Sequence, residues 1–173
     1  ARGTSYGEIK NFVTSDGLPG VTTINSEGIN GSAATINGKV DDNGGSATTS
    51  YGFVYAETTN PDLNAFKLEV GNDFEGNYNG KLTNLKSSTK YYIKAYATNN
   101  NGTSYGNEIS FTTTDGMPKV NTVGSRNISG TKATMTGTII DDGGNTLSAY
   151  GFVYSESQNP TINDSYIKVG SNS

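Results

Sequence analysis

The chain contains no cysteine, no histidine and no tryptophan, and only four prolines in 173 residues. Without cysteine there is no disulfide, thiol nucleophile or thiolate metal site, and without histidine the usual proton shuttle near neutral pH is missing. A cysteine-free protein tolerates either redox environment, so compartment is not legible from this absence. Positive charge is also scarce. Twelve basic residues stand against 16 acidic ones, a net charge of −4, which provides no basic field to hold a phosphate backbone. Nucleic acid is therefore not an expected partner. No run approaches the ~20 apolar residues of a membrane-spanning helix, and direct membrane insertion is not expected. Hydrophobic residues make up 32% of the chain, and no long amphipathic helix is visible. A core must then come from short alternating strands between polar turns rich in Gly, Asn, Ser and Thr.

What is present is an internal repeat. Gly3 to Gly7 reads GTSYG and recurs at Gly102 to Gly106; YGFVY at Tyr51 to Tyr55 recurs at Tyr150 to Tyr154; Asn60-Pro61 recurs at Asn159-Pro160. At an offset of 99 residues, without gaps, residues 3–71 match residues 102–170 at 32 of 69 positions. The period suits one small β-sandwich better than a solenoid unit of roughly 20–50 residues. The phase of the repeat predicts three parts. Residues 1–13 match the run leading to Phe111 and read as the final strand of a preceding copy. Residues 14–114 make one complete copy, and residues 115–173 repeat only the N-terminal part of the next. An incomplete sandwich exposes strand edges and an apolar face. The chain is thus expected to be a window on a longer array, or a fragment completed by another chain.

In the complete copy, Val21 to Ile24 is the first strand. Ala34, Ile36, Gly38 and Val40 alternate with Thr35, Asn37 and Lys39, the period-two pattern of a half-buried strand. DDNGG at Asp41 to Gly45 is the turn that follows. Tyr51, Phe53 and Tyr55 share one face of the third strand; Phe66, Leu68 and Val70 mark the fourth; Phe74 and Tyr78 to Leu82 supply the fifth. Tyr91, Ile93, Ala95 and Ala97 alternate with Tyr92, Lys94 and Tyr96 in the sixth, and Glu108 to Thr112 forms the last. Seven strands with polar turns predict an all-β, two-sheet antiparallel sandwich in tandem copies.

The run LKSSTKYYIKAYA at Leu85 to Ala97 resembles the turn into the sixth strand of fibronectin type III domains, an immunoglobulin-like β-sandwich family. Its continuation, ATNNNGTSYGNEISFTT at Ala97 to Thr113, is similar to the version in tandem repeats of secreted or surface proteins of Bacteroidetes-type bacteria. The resemblance implies that the Tyr91 hydroxyl caps the backbone of the turn after Leu85. Two departures stand out: the second-strand tryptophan is absent, and the turn after Leu85 lacks the frequent proline. No RGD tripeptide is present, so the adhesive motif of animal members does not carry over.

Three groups of residues are candidates for function. Asp41, Asp42 and Asn43, with Asp141 and Asp142 in the matching turn, could supply oxygen ligands to Ca2+. They lack EF-hand spacing and a terminal bidentate glutamate, and Asp and Asn also favour the turns that Gly44 and Gly45 complete. Adjacent turn carboxylates both face water, which does not suit a catalytic pair, and enzymatic activity is not expected. Tyr92, Tyr96, Tyr6 and Tyr105 could form a binding surface for protein or glycan if two or three rings lay coplanar and exposed, although tyrosine also serves as strand and core filler. Phe12 is the strand-exchange candidate: if residues 1–13 completed a sandwich in a neighbouring chain, Phe12 would enter that core as Phe111 enters its own.

The leading expectation is a structural repeat of a bacterial cell-surface adhesin, stalk or extracellular filament. It would act by extension and by contacts with neighbouring repeats of the same protein. The alternative is a carbohydrate-binding or spacer module of a secreted multidomain enzyme. Both place the chain outside the cell or at its surface.

Overall fold

The computed structural model describes residues 2–12, 14 and 16–171. Twelve strands and no helix occur among them. The first eight are β1 (Gly20–Glu27), β2 (Ala34–Asp42), β3 (Ser50–Ala56), β4 (Phe66–Gly71), β5 (Gly76–Leu82), β6 (Lys90–Asn99), β7 (Gly102–Tyr105) and β8 (Ile109–Thr112). They form two antiparallel sheets. One has the order β1-β2-β5; the other runs β4-β3-β6-β7, with β8 also paired to β6.

The alternation in the sequence becomes the layering of the fold. Ala34, Ile36 and Val40 of β2 face Tyr51 and Phe53 of β3 and Tyr91, Ile93, Ala95 and Ala97 of β6 in one cluster, closed by Tyr78, Leu82, Leu85 and Phe111. Ile36, Val40, Phe53 and Ile93 are all fully buried. Gly38 is needed at the centre of this layer, because a Cβ there would come within 3.0 Å of both the Phe53 and Tyr78 rings. Burying a Phe or Ile side chain contributes about 1.5–3 kcal/mol, so this interior cluster dominates the stability of the first segment. The Tyr91 hydroxyl accepts the Lys86 backbone N–H at 3.0 Å, the cap that the run after Leu85 implies.

The structure corrects the expectation for the last strand. Where one final strand was expected over Glu108 to Thr112, two occur: β7 pairs with the C-terminal half of β6 and β8 with its N-terminal half. Thr23 of β1, 2% exposed, explains the break. Its hydroxyl accepts the Ala95 N–H at 2.8 Å, and its own N–H donates to the Asn107 side chain at 3.3 Å. Gly106 N–H meanwhile donates to Ala95 O. A Cβ at Gly106 would lie 2.5 Å from Thr23 N, so only glycine lets β1 reach in and tie the two sheets together. Phe74, assigned to the fifth strand by sequence, lies before β5 and stacks on Tyr51 with ring centroids 5.4 Å apart.

The last four strands are β9 (Lys119–Arg126), β10 (Thr134–Asp141), β11 (Tyr150–Tyr154) and β12 (Ser165–Gly170). β9 pairs with β10 and β11 with β12. Their registers reproduce those of β1–β2 and β3–β4: Val21↔Val40 matches Val120↔Ile139, and Phe53↔Leu68 matches Phe152↔Ile167. Residues 2–12 are exposed and form no strand. Ala1, Val13, Ser15, Asn172 and Ser173, at the ends of the expected boundaries, lie outside the described residues.

Candidate functional site

The tyrosines expected on a binding surface do not form one platform. Tyr96 is 1% exposed, which corrects the expectation of an open ring there. It stands opposite Gly52 in the ladder, so the neighbouring strand offers no side chain to hold it upright. Its hydroxyl lies 3.0 Å from Ser50 Oγ, and burial pushes its pKa up. Val54, fully buried on the same outer face, sits opposite Lys94 between the positions of Tyr92 and Tyr96. The two rings thus flank an outer-face residue instead of standing free. Tyr92 is half-buried, with Lys90 Nζ 5.0 Å from its ring centroid. Tyr105 pairs across the ladder with Tyr96, and its hydroxyl accepts the Leu63 N–H at 3.2 Å. Beside it, Asn60 accepts from Lys94 Nζ and donates its N–H to Glu108, pinning the β3–β4 loop to the β6–β8 edge. Tyr6 is 90% exposed and Phe12 86% exposed, both on the strandless segment 2–12.

The acidic turns have other occupations. Asp41 and Asp42 are successive residues of β2, at the bulge where Gly20 pairs with Asp42 and Val21 with Val40. Asp41 takes a hydrogen bond from the Thr22 hydroxyl at 2.7 Å and an ion pair from Lys39 at 2.9 Å. The hydrogen bond from Lys39 and then that from Thr22 hold its carboxyl below the usual aspartate range. Asp42 and Asn43 accept the N–H groups of Gly44 and Gly45, each at 2.8 Å. Asp141 and Asp142 accept those of Gly143 and Gly144, again at 2.8 Å. Among the described residues, no three acidic side chains converge on a common point that could hold a metal ion.

The second of these glycine turns, Gly143–Gly144, is instead where the two sequence copies meet. Gly44 and Gly45 have φ of 68° and 82°, and Gly143 and Gly144 have φ of 73° and 80°, a left-handed pair that glycine adopts without Cβ strain. Each turn nests on the linker before its own first strand. A Cβ on Gly44 would lie 2.4 Å from Gly17 O, and one on Gly143 would lie 2.2 Å from Gly116 O. Both linkers start with the same Asx turn, Asp16 accepting Leu18 N–H and Asp115 accepting Met117 N–H, each at 3.0 Å. In the first copy, Asn99 and Asn101 lock the nest by donating to Gly17 O, and Asn99 also donates to Asn43 O.

Onto the Gly143–Gly144 turn comes the loop between β1 and β2. Gly31 N–H donates to Gly143 O at 3.2 Å, and the Ser32 hydroxyl donates to Gly144 O at 2.6 Å. Asn30 shapes this loop by accepting the N–H groups of Ser32 and Ala33. Asn30 O accepts from Thr114, and Ser32 O from Leu85, so the loop is anchored to the end of its own sandwich. The approach is as close as backbone permits: a Cβ on Gly31 would fall 2.2 Å from Gly116 Cα. Sequence reasoning did not single out Gly31. Its signal was present, since Gly31 recurs as Gly130 in the second copy.

A scan against protein-family models matches none, and no curated protein matches the chain. Solved structures do resemble it. The sensor domain of the anti-sigma factor RsgI4 of Pseudobacteroides cellulosolvens is 20% identical, with 56% of this chain and 94% of that one covered and a TM-score of 0.45. The third fibronectin III domain of human KIAA0343 protein is 17% identical, with 72% and 100% covered and a TM-score of 0.40. A crystal structure of titin domains is 23% identical, with 56% and 32% covered and a TM-score of 0.39. The chain's own strand order defines its class: it is all-β, and β1 to β8 make an immunoglobulin-like, fibronectin type III-like β-sandwich. Among the described residues, no helix is long and apolar enough to cross a membrane.

Proposed function

We propose that this chain is a structural repeat of a bacterial cell-surface adhesin, stalk or extracellular filament, built from tandem sandwich domains with boundaries near residues 14 and 114. Its role is to extend and to hold successive units in fixed relation. The observation that carries this reading is the joint. The two copies meet through main chain at Gly31, Gly116 and Gly143, which limits bending at the linker. The short Asp-Gly-X-Pro linkers support it, since each forms the same turn and leaves little slack. Low charge and abundant Ser, Thr and Asn suit an extracellular stalk.

Protease shaving of intact source cells tests the surface role. Peptides from residues 14–171 released before lysis, from a parent chain far above 18.1 kDa, are the expected result. Release only after lysis, or a parent chain near that mass, would overturn it.

A further inference from the structure

We propose that the Gly44–Gly45 turn is a docking site for the loop at Ser129 to Thr131 of a second copy of this chain, in head-to-tail order. The inference rests on the repeat reading above and names the partner that one of its surfaces takes. Four observations carry it. The receptor turn that is occupied, Gly143–Gly144, and the free one, Gly44–Gly45, share φ values, Asx caps and a nest on a preceding glycine linker. Occupation shows in burial: Gly143 is buried and Gly144 half-buried, whereas Gly44 is half-buried and Gly45 exposed. A Cβ on Gly144 would strike Asn30 Oδ1 at 2.2 Å, while one on Gly45 would meet nothing within 4 Å.

The donor is duplicated too. Gly31 is buried in the joint; its counterpart Gly130 is exposed with open space around it. Asn30 N–H donates to Ala33 O at 2.9 Å, and Ser129 N–H donates to Lys132 O at 2.8 Å, so both loops make the same turn. Thr131 keeps the hydroxyl that Ser32 uses. Docking therefore brings Gly130 N–H to Gly44 O and the Thr131 hydroxyl to Gly45 O, beside the Asn101 side chain that lies on Gly17. Donor and receptor lie on different surfaces, so the contact is heterologous and need not close, and it extends into a filament.

Amide NMR of the whole chain over a concentration series into the millimolar range tests this. Wild-type protein should show concentration-dependent shifts at Gly44, Gly45, Gly130 and Thr131. Gly130→Val blocks the donor at a position that has room for a side chain. Gly45→Asn fills the receptor with a residue that tolerates positive φ. Each variant alone should lose the concentration dependence, with dispersion elsewhere unchanged as a check of folding. A mixture of the two should regain it as a 1:1 pair, because each supplies what the other lacks. Wild-type spectra independent of concentration, or a mixture that stays monomeric, would overturn the proposal. Cell shaving and parent mass would still report on the repeat reading separately.

Discussion

Residues 34–54 and 133–153 correspond at the repeat offset and match at 10 of 21 positions, yet they live in different surroundings. Val40, Ile36 and Phe53 are fully buried, whereas Ile139 is 41% and Met135 37% exposed and Phe152 is half-buried. The hairpin registers are the same in both. Pairing is thus set locally by each strand and its turn, while burial is conferred by other elements. In the first copy β5, β6 and β8 cover the face; among the described residues, β9 to β12 have no such cover. Thr23 and Thr122 show the same contrast. One is buried between the sheets holding Ala95 N–H, and the other is exposed.

Substituting matched positions should break this symmetry most strongly at the ring. Phe53→Ala should cost about 3–5 kcal/mol, and Phe152→Ala, whose ring is only half-buried, about 1 kcal/mol or less, by urea unfolding followed at residues of each copy separately. Equal losses would mean that the second copy buries its face as fully as the first. Next in size is Thr23→Val, which leaves Ala95 N–H without its acceptor and should cost about 1–3 kcal/mol. Thr122→Val should stay within about 0.5 kcal/mol.

Alkaline unfolding sharpens the comparison through tyrosine. Burial raises the pKa of Tyr78, Tyr96 and Tyr55, all in the first copy. The unfolded value is about 10. Above it the unfolded chain has released protons that the folded chain still holds, so stability is intact below pH ~10 and falls as pH rises further. The slope is at most about 1.4 kcal/mol per pH unit for each tyrosine. Tyr78→Phe removes one contribution and also the hydrogen bond to Gly52 O. Its stability deficit against wild type should therefore shrink above pH ~10, as read by unfolding at several pH values. The smallest expected effect is that of Asp41→Asn, whose exposed ion pair with Lys39 is worth under about 1 kcal/mol. Stability supplied by that depressed carboxyl is present above the unfolded aspartate range and is lost as pH falls through the lower folded value.

The strands were largely legible because alternation reports a half-buried sheet directly. Ala34 to Val40 and Tyr91 to Ala97 needed nothing else. The split of the last strand was not legible, since it depends on Thr23 arriving from 72 residues away to take Ala95 N–H. Tyr96 misled for a related reason. Alternation places it on the outer face, but its burial depends on Gly52 opposite and on the strand register. At the candidate site, the Asp and Asn of the DDNGG turn do what their turn propensity predicts. The joint was hidden because it is made of glycine main chain, which leaves no chemical motif. Only the recurrence of glycine at the repeat offset, at Gly31 and Gly130, marks it.

The central claim is that the loop at Gly31 is held against the Gly143–Gly144 turn, fixing one copy on the next. Native-state amide exchange measured at Gly31 and Gly130 in the same sample tests it most directly, since the two loops share a turn and differ in their partner. At concentrations low enough to keep copies of the chain apart, the account predicts that Gly31 N–H is protected by its bond to Gly143 O while Gly130 N–H exchanges near its intrinsic rate. Equal, unprotected exchange at both would contradict a fixed joint.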